Sequence, residues 1–303
     1  MSKILTIIFA AFAISALAKE NVTIVYGWSP SDPAANFHRA LANEANKIQD
    51  KYNFMFDTRP GAGASIAAQY VLNTPDTILA TSSAFFIRPN FFPNESHDVS
   101  RYRELMPQCE PPLHVVSKKY QSWREVPADQ AITIAVSGLG VTTHLAATEI
   151  AKKYPLAIIV PFNSTTDSVV SVIAGVTDFS VNFAGDSEQY VNASEAKNKL
   201  YLLGVTGTVP DGKVATLSSQ GFPKILEAMT APAHLVVPNS ISDVKFHEWR
   251  DILVRAGRSA EVHAAFAVDH CTAMNQMPEE QLSPWYDRQI TTWRRITSGV
   301  TLK

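Results

Sequence analysis

Residues 132–151 read ITIAVSGLGVTTHLAATEIA. Ile132, Ile134 and Val136 alternate through a β-branched run, the pattern of a buried strand. Ser137-Gly138-Leu139-Gly140 then breaks the strand, and from Thr143 onward Leu145, Ala146, Ile150 and Ala151 recur at helical spacing. The unit is strand, glycine turn, helix. Glycines let a backbone approach a ligand closely, and a helix start leaves N–H groups without internal partners. Ser137, Thr142 and Thr143 add hydroxyls at that end, so the turn has the makings of a neutral cradle for an anion. The other reading is an ordinary strand-to-helix turn, because Gly138-x-Gly140-x-x-Thr143 lacks the third glycine of a dinucleotide fingerprint.

Working outward, the same unit repeats. Val22–Tyr26 is a strand, Gly27–Pro33 (GWSPSDP) a loop, and Phe37, Leu41, Ala45 and Ile48 a helical stripe. Phe54–Thr58 leads through Arg59–Ser65 into a small-residue helix near Ile66–Leu72, and Ile78–Thr81 ends in Ser82-Ser83. After the central unit come Ile158–Pro161, a helix through Val169, Val170 and Ile173, Phe179–Phe183 ending in Ala184-Gly185-Asp186-Ser187, and Leu200–Val205. Residues 89–112 read as irregular. Alternating strands and helices predict an α/β fold with open, mostly parallel sheets, whose ligands bind beyond the carboxyl ends of the strands. The chain then returns through Ala233–Val237, a helix Val244–Ala256 capped by Ser242, and a tail with Leu282, Trp285, Tyr286, Ile290, Trp293 and Ile296 at helical spacing. That tail is expected to pack on the first domain.

Composition narrows the function. The chain has 303 residues, a formal charge of −2 and 46% hydrophobic residues, and it carries no basic run, so nucleic acid is not an expected partner. Lys3, the apolar run Ile4–Leu17 and Ala16-Leu17-Ala18 read as a signal peptide cleaved after about Ala18, which predicts a periplasmic protein. Export favours a disulfide between Cys109 and Cys271, two buried thiols being the alternative. Sequons occur at Asn21, Asn94, Asn163 and Asn192 and are read as chance.

Catalytic patterns are thin. There is no G-x-S-x-G; Ser137-Gly138 with His144 is the nearest imitation, and His144 has no evident acid partner. His263, His270 and Cys271 are the candidate metal ligands, and their spacing fits no common site, so neither metal nor cofactor is expected. What remains is a set of hydroxyl-rich loops at strand ends on two α/β units, the layout of a ligand clamp.

The sequence resembles the solute-binding proteins of the tripartite tricarboxylate transporter system, the Bug-type periplasmic binding proteins. Arg59-Pro60-Gly61-Ala62-Gly63-Ala64-Ser65-Ile66 is similar to the family's R-P-G-A-G-G-x-I. Ser137–Leu145 resembles S-G-x-G-S-x-x-H-L, with His144 in the histidine position. Val160-Pro161-Phe162 with Ile173–Asp178 resembles V-P-Y…L-x-G-x-V-D, and Leu203–Gly207 with Gly221-Phe222-Pro223 resembles L-A-V-T-[ST]…G-[FY]-P. The resemblance implies a two-lobed periplasmic-binding-protein (Venus flytrap) architecture with a hinge, in which lobe I is residues 19–120 plus 230–303 and lobe II is residues 121–229. It implies capture of a small organic anion without catalysis and delivery to membrane permease subunits, by a monomer. The implied ligand contacts are Trp28 and Ser29 in the first loop, Ser82 and Ser83, Ser137, Gly138, Gly140, Thr142, Thr143 and His144 in the cradle, Phe162 and Asn163, and Gly185 and Asp186. Two loops depart from the family: Gly27–Pro33 lacks the glycine pair of P-x-G-G-x-x-D, and Phe162-Asn163-Ser164 lacks the cation and glycine of Y-[KR]-G. Trp28 and Phe37 offer rings for an aromatic or bulkier carboxylate. The other classes the sequence leaves open are an exported hydrolase using a loop serine and a binding module feeding a signalling receptor.

Overall fold

Val22, Ile24 and Val25 are buried along the first strand, and successive βα units lay further strands beside it. The computed structural model describes residues 18–300, without the side chain of Thr272. The expected signal peptide therefore lies outside the described residues except for Ala18. Strand β1 (Glu20–Tyr26) is followed by helix α1 (Pro33–Lys47), β2 (Tyr52–Thr58), α2 (Ser65–Asn73), β3 (Thr77–Thr81) and α3 (Ala84–Phe91). The long strand β4 (Tyr102–Glu110) comes next, and then β5 (His114–Ser117). The central stretch gives β6 (Thr133–Val136), α4 (Thr142–Ala151), β7 (Ile158–Pro161), α5 (Thr165–Ile173), β8 (Phe179–Asn182), α6 (Ala184–Val191) and β9 (Tyr201–Val205). The chain closes with β10 (Ala233–Pro238), α7 (Asp243–Ala256), α8 (Ala260–Ala267), the short β11 (Thr272–Ala273) and α9 (Leu282–Thr297).

These strands form two sheets, β11-β4-β10-β3-β1-β2 and β7-β6-β8-β5-β9. Each has a parallel βαβ core, β2-β1-β3 in one and β7-β6-β8 in the other. Strands that arrive after a crossing pair antiparallel: β10 with β3 and β4, and β5 with β8 and β9. The sheets are therefore mixed where the sequence predicts mostly parallel ones, because a strand arriving from the other sheet is not constrained by a βαβ crossover.

Two further expectations change. His114–Ser117, placed in lobe I from the sequence, is a central strand of the second sheet, so the boundary falls just after β4. Residues 89–112 are not irregular throughout, because 89–91 end α3 and 102–110 build β4, whose Glu104 is buried against the ring of His234 on β10 at 2.9 Å. A buried Glu–His pair on neighbouring strands thus hides a core strand from a hydrophobicity pattern. Helix α9 packs on α3 and β4 of the first sheet's lobe, burying Trp285, Tyr286, Trp293 and Ile296. The chain crosses between sheets at 110–113 and at 206–232, and Cys109 and Cys271 form a disulfide beside the first crossing.

Candidate functional site

The first turns of several helices converge where the two sheets face each other. A water-accessible cavity of about 80 Å³ lies there, lined from the first lobe by Tyr26, Trp28, Asp32, Phe37, His38, Thr81 and Ser82. Ser137, Thr142, Thr143, Thr165, Phe183 and Asp186 line it from the second. That volume holds several water molecules. Asp32 and Pro33 start α1, Ala84 starts α3, Thr142 and Thr143 start α4, and Ala184 to Asp186 start α6. None of these four helices has a side-chain cap bond at its N-cap residue, but most first-turn N–H groups of α1, α3 and α6 are already bonded locally or, at Gly185, to Asp269, so the open N–H end among the described residues is that of α4 at Thr142 and Thr143.

The cradle expected at residues 137–143 is built mostly as a rigid set of hydroxyls. Thr143 Oγ1 accepts from the Ser137 N–H at 3.2 Å and meets Ser137 Oγ at 2.9 Å. Gly138 and Gly140 hold φ of +132° and +68°, which a side chain rarely adopts, and a Cβ on Gly140 would come within 2.8 Å of the Phe92 ring. His144 is fully buried, and its Nδ1 accepts from the Gly140 N–H at 3.1 Å. Burial pulls its pKa down to about 4, so it is a neutral ring that fixes the turn. Ser137 and His144 therefore do not pair as a nucleophile and base would.

Other expected contacts lie elsewhere. Ser83 is buried and its hydroxyl bonds to that of Thr142, tying the starts of α3 and α4 rather than facing the cavity. Ser29 Oγ turns to Ser31 at 2.8 Å. Phe162 and Asn163 do not line the cavity, and Asn163 is exposed, because β7 is the edge strand and its end opens away from the sheet centre. Gly185 stands behind the cavity wall, where its N–H donates to Asp269 Oδ1 at 2.9 Å. The expected contacts that do line the cavity are Trp28, Ser82, Ser137, Thr142, Thr143 and Asp186.

The sequence reading named Asp186 and passed over the two acids beside it. Asp269, just after α8, joins Asp32 and Asp186 on the cavity wall, and among the described residues no Lys or Arg lines it. Thr166 Oγ1 links two of them, donating to Asp186 Oδ1 at 2.7 Å and standing 3.4 Å from Asp32 Oδ1. Burial, then the neighbouring Asp186, pushes Asp32 up to about 8 and Asp269 up to about 7. Asp186 is raised by burial, against the hydrogen bond from Thr166. Burial, then Arg39, lowers His38 to about 3, so no cation balances the acids. Asp186 Oδ2, Thr81 Oγ1 and His38 Nδ1 are buried without a hydrogen-bond partner. Tyr26, Trp28 and His38 form an aromatic wall, with centroids 5.4 Å and 5.0 Å from Tyr26.

Of the metal candidates, His263 and Cys271 do not join His270. Instead His270 Nδ1 and His114 Nε2 lie 2.7 Å and 2.8 Å from Asp211 Oδ2, one ligand atom from each residue lying within 4.8 Å of the others. His114 lies on β5 of the second sheet, Asp211 in the second crossing segment and His270 in the first lobe, so the trio is a polar link between the lobes, and hydrogen bonds from the two histidines hold Asp211 down to about 2.

Two α/β lobes meeting over a shared, helix-ended cavity define a two-lobed binding-protein fold. Solved structures carry the same fold. The periplasmic binding protein BugD matches with a TM-score of 0.79 at 15% identity, over 92% of this chain and 97% of that one. Rpa4515 of R. palustris, solved with adipate, matches with a TM-score of 0.78 at 17% identity, over 92% and 96%. MatC from Rhodopseudomonas palustris, solved with bound malate, matches with a TM-score of 0.77 at 16% identity, over 91% and 98%. No protein-family profile matches the sequence, and no curated protein matches it. The chain thus has the fold of the Bug-type periplasmic binding proteins that its motifs resemble.

Proposed function

We propose that this protein is an extracytoplasmic solute-binding protein that captures a small carboxylate between its lobes and hands it to a tripartite tricarboxylate-type permease. The observation that carries the reading is the inter-lobe cavity, onto which the starts of α1, α3, α4 and α6 converge beside Ser82 and Ser137, with the unbonded first-turn N–H groups of α4 at Thr142 and Thr143. Helix N-termini and hydroxyls bind an anion without a cationic side chain. The carboxylates held by Rpa4515 and MatC support the ligand class, and the motifs after an apolar leader support export to the periplasm. Ligand favours the closed arrangement because it touches both lobes, and the permease reads that arrangement. The protein acts as a monomer, without catalysis or a cofactor.

The test is calorimetry on the chain from about Lys19 onward with C3 to C6 carboxylates. Stoichiometric binding without turnover supports the reading. Product formation from a bound ester or amide would move the protein to an exported enzyme instead.

A further inference from the structure

We infer that the ligand carries a protonated amine as well as its carboxylate, and that Asp186, with Asp32 and Asp269, receives the amine. This rests on the carboxylate-binding reading above and narrows it to amino acids and related zwitterions. The cavity is divided by chemistry. Ser137, Thr142 and Thr143 at the start of α4 give one wall of neutral donors, and three buried carboxylates with no Lys or Arg give another. Each of the three acids contributes to one surface, yet only part of their acceptor capacity is used. Asp186 is 4% exposed, and its Oδ1 accepts from Thr166 while its Oδ2 has no partner. Thr81 Oγ1, 2% exposed and on the same wall, is also unpartnered.

A buried carboxylate oxygen without a donor is costly, and a ligand that brings N–H donors and positive charge removes that cost. A ligand carboxylate facing this wall is accommodated only while the acids keep their protons. A metal ion fits less well. Among the described residues the group whose ligand atoms come within 4.8 Å of one another is His114, Asp211 and His270, not the three acids. The aromatic rings of Tyr26 and Trp28 beside Asp32 suit an ammonium, whose charge the ring faces attract.

The groups around the acids are Tyr26 on β1, His38 and Arg39 on α1, Asp167 on α5 and His270 after α8. With Asp32 and Asp269 holding protons to about 8 and about 7, an ammonium must displace them, and its binding strengthens as pH rises. A plain dicarboxylate accepts hydrogen bonds from the protonated acids, and its binding weakens as pH rises.

The experiment compares pairs that differ only by the amine: succinate and aspartate, glutarate and glutamate, adipate and 2-aminoadipate. Calorimetry is run at pH 6 and pH 8.5 on the wild type and on Asp186→Asn. The expected result is at least a tenfold preference for the amine in one pair, larger at pH 8.5 and lost in Asp186→Asn. Equal or tighter binding of the amine-free acids overturns the inference and leaves the carboxylate reading intact. Binding of diamines such as putrescine with no carboxylate bound keeps the amine site and overturns the carboxylate reading; binding by neither series overturns both. The wild-type pH comparison decides the matter if Asp186→Asn does not fold.

Discussion

The backbone N–H of Gly185, in the first turn of α6, donates to Asp269 Oδ1 across the two lobes at 2.9 Å. The approach is open only to glycine. A Cβ there would stand 2.6 Å from Asp269 Oδ1, 2.8 Å from Val268 and 3.0 Å from Pro33. Gly185→Ala therefore pushes the lobes apart at their contact while leaving each lobe's own core untouched. We expect roughly a tenfold loss of ligand affinity, with the melting temperature of the ligand-free protein nearly unchanged. Equal affinity by calorimetry would mean that this contact is not part of the bound state.

Thr143→Val removes the acceptor for the Ser137 N–H and the partner of the Ser137 hydroxyl. The turn loses two hydrogen bonds and a cavity-lining hydroxyl, which costs about 1–3 kcal/mol in ligand binding. Thr142→Val acts differently, since its hydroxyl is committed to Ser83 between the lobes. Calorimetry on the two single variants, read against a thermal melt, separates the two roles.

The unliganded protein should lose stability as the pH rises from about 7 to 9. Asp32 and Asp269 keep their protons to about 8 and about 7 in the folded chain, well above an unfolded aspartate. The folded form thus binds more protons than the unfolded form between about pH 4 and 8, and stability falls through that window. His38, His97 and His144 act in the opposite sense, with folded pKa values lowered to about 3, 4 and 4. Their contribution is complete above about pH 6.5, leaving the acids to set the slope. Asp269→Asn, which keeps an oxygen acceptor for Gly185, should flatten the decline. A wild-type melting temperature that is flat from pH 7 to 9 would contradict this.

Reduction of Cys109–Cys271 opens a link between residues 162 apart. The loss should be about 2–5 kcal/mol. A Cys109→Ala, Cys271→Ala variant and the reduced wild type should melt at the same lowered temperature.

Legibility from sequence tracked how local each feature is. The β6–α4 turn reads directly from residues 132–151 because its strand period, its glycines and its hydroxyls all act within twenty residues. Ser137, Thr142 and Thr143 could therefore be named before the fold was known. Asp32 and Asp269 could not, since nothing in a sequence window distinguishes a turn aspartate from one buried by a helix far along the chain. Strand β4 was hidden for the same reason, because Glu104 reads as surface until His234, 130 residues away, is placed against it. Phe162 and Asn163 were transferred from a motif, and the edge position of β7 turns that loop away from the cavity.

Two segments, and among the described residues only these two, carry the chain between the sheets, one after β4 and one before β10. A body held to another at two points keeps a single easy rotation, about the line through them, while sliding and twisting strain both tethers. The lobes can thus swing like a door on its pins, opening on the side opposite the tethers. Asp32 and Asp269 lie on one leaf of that door and Asp186 with the α4 hydroxyls on the other, so a molecule lodged between them would touch both leaves only while it is shut.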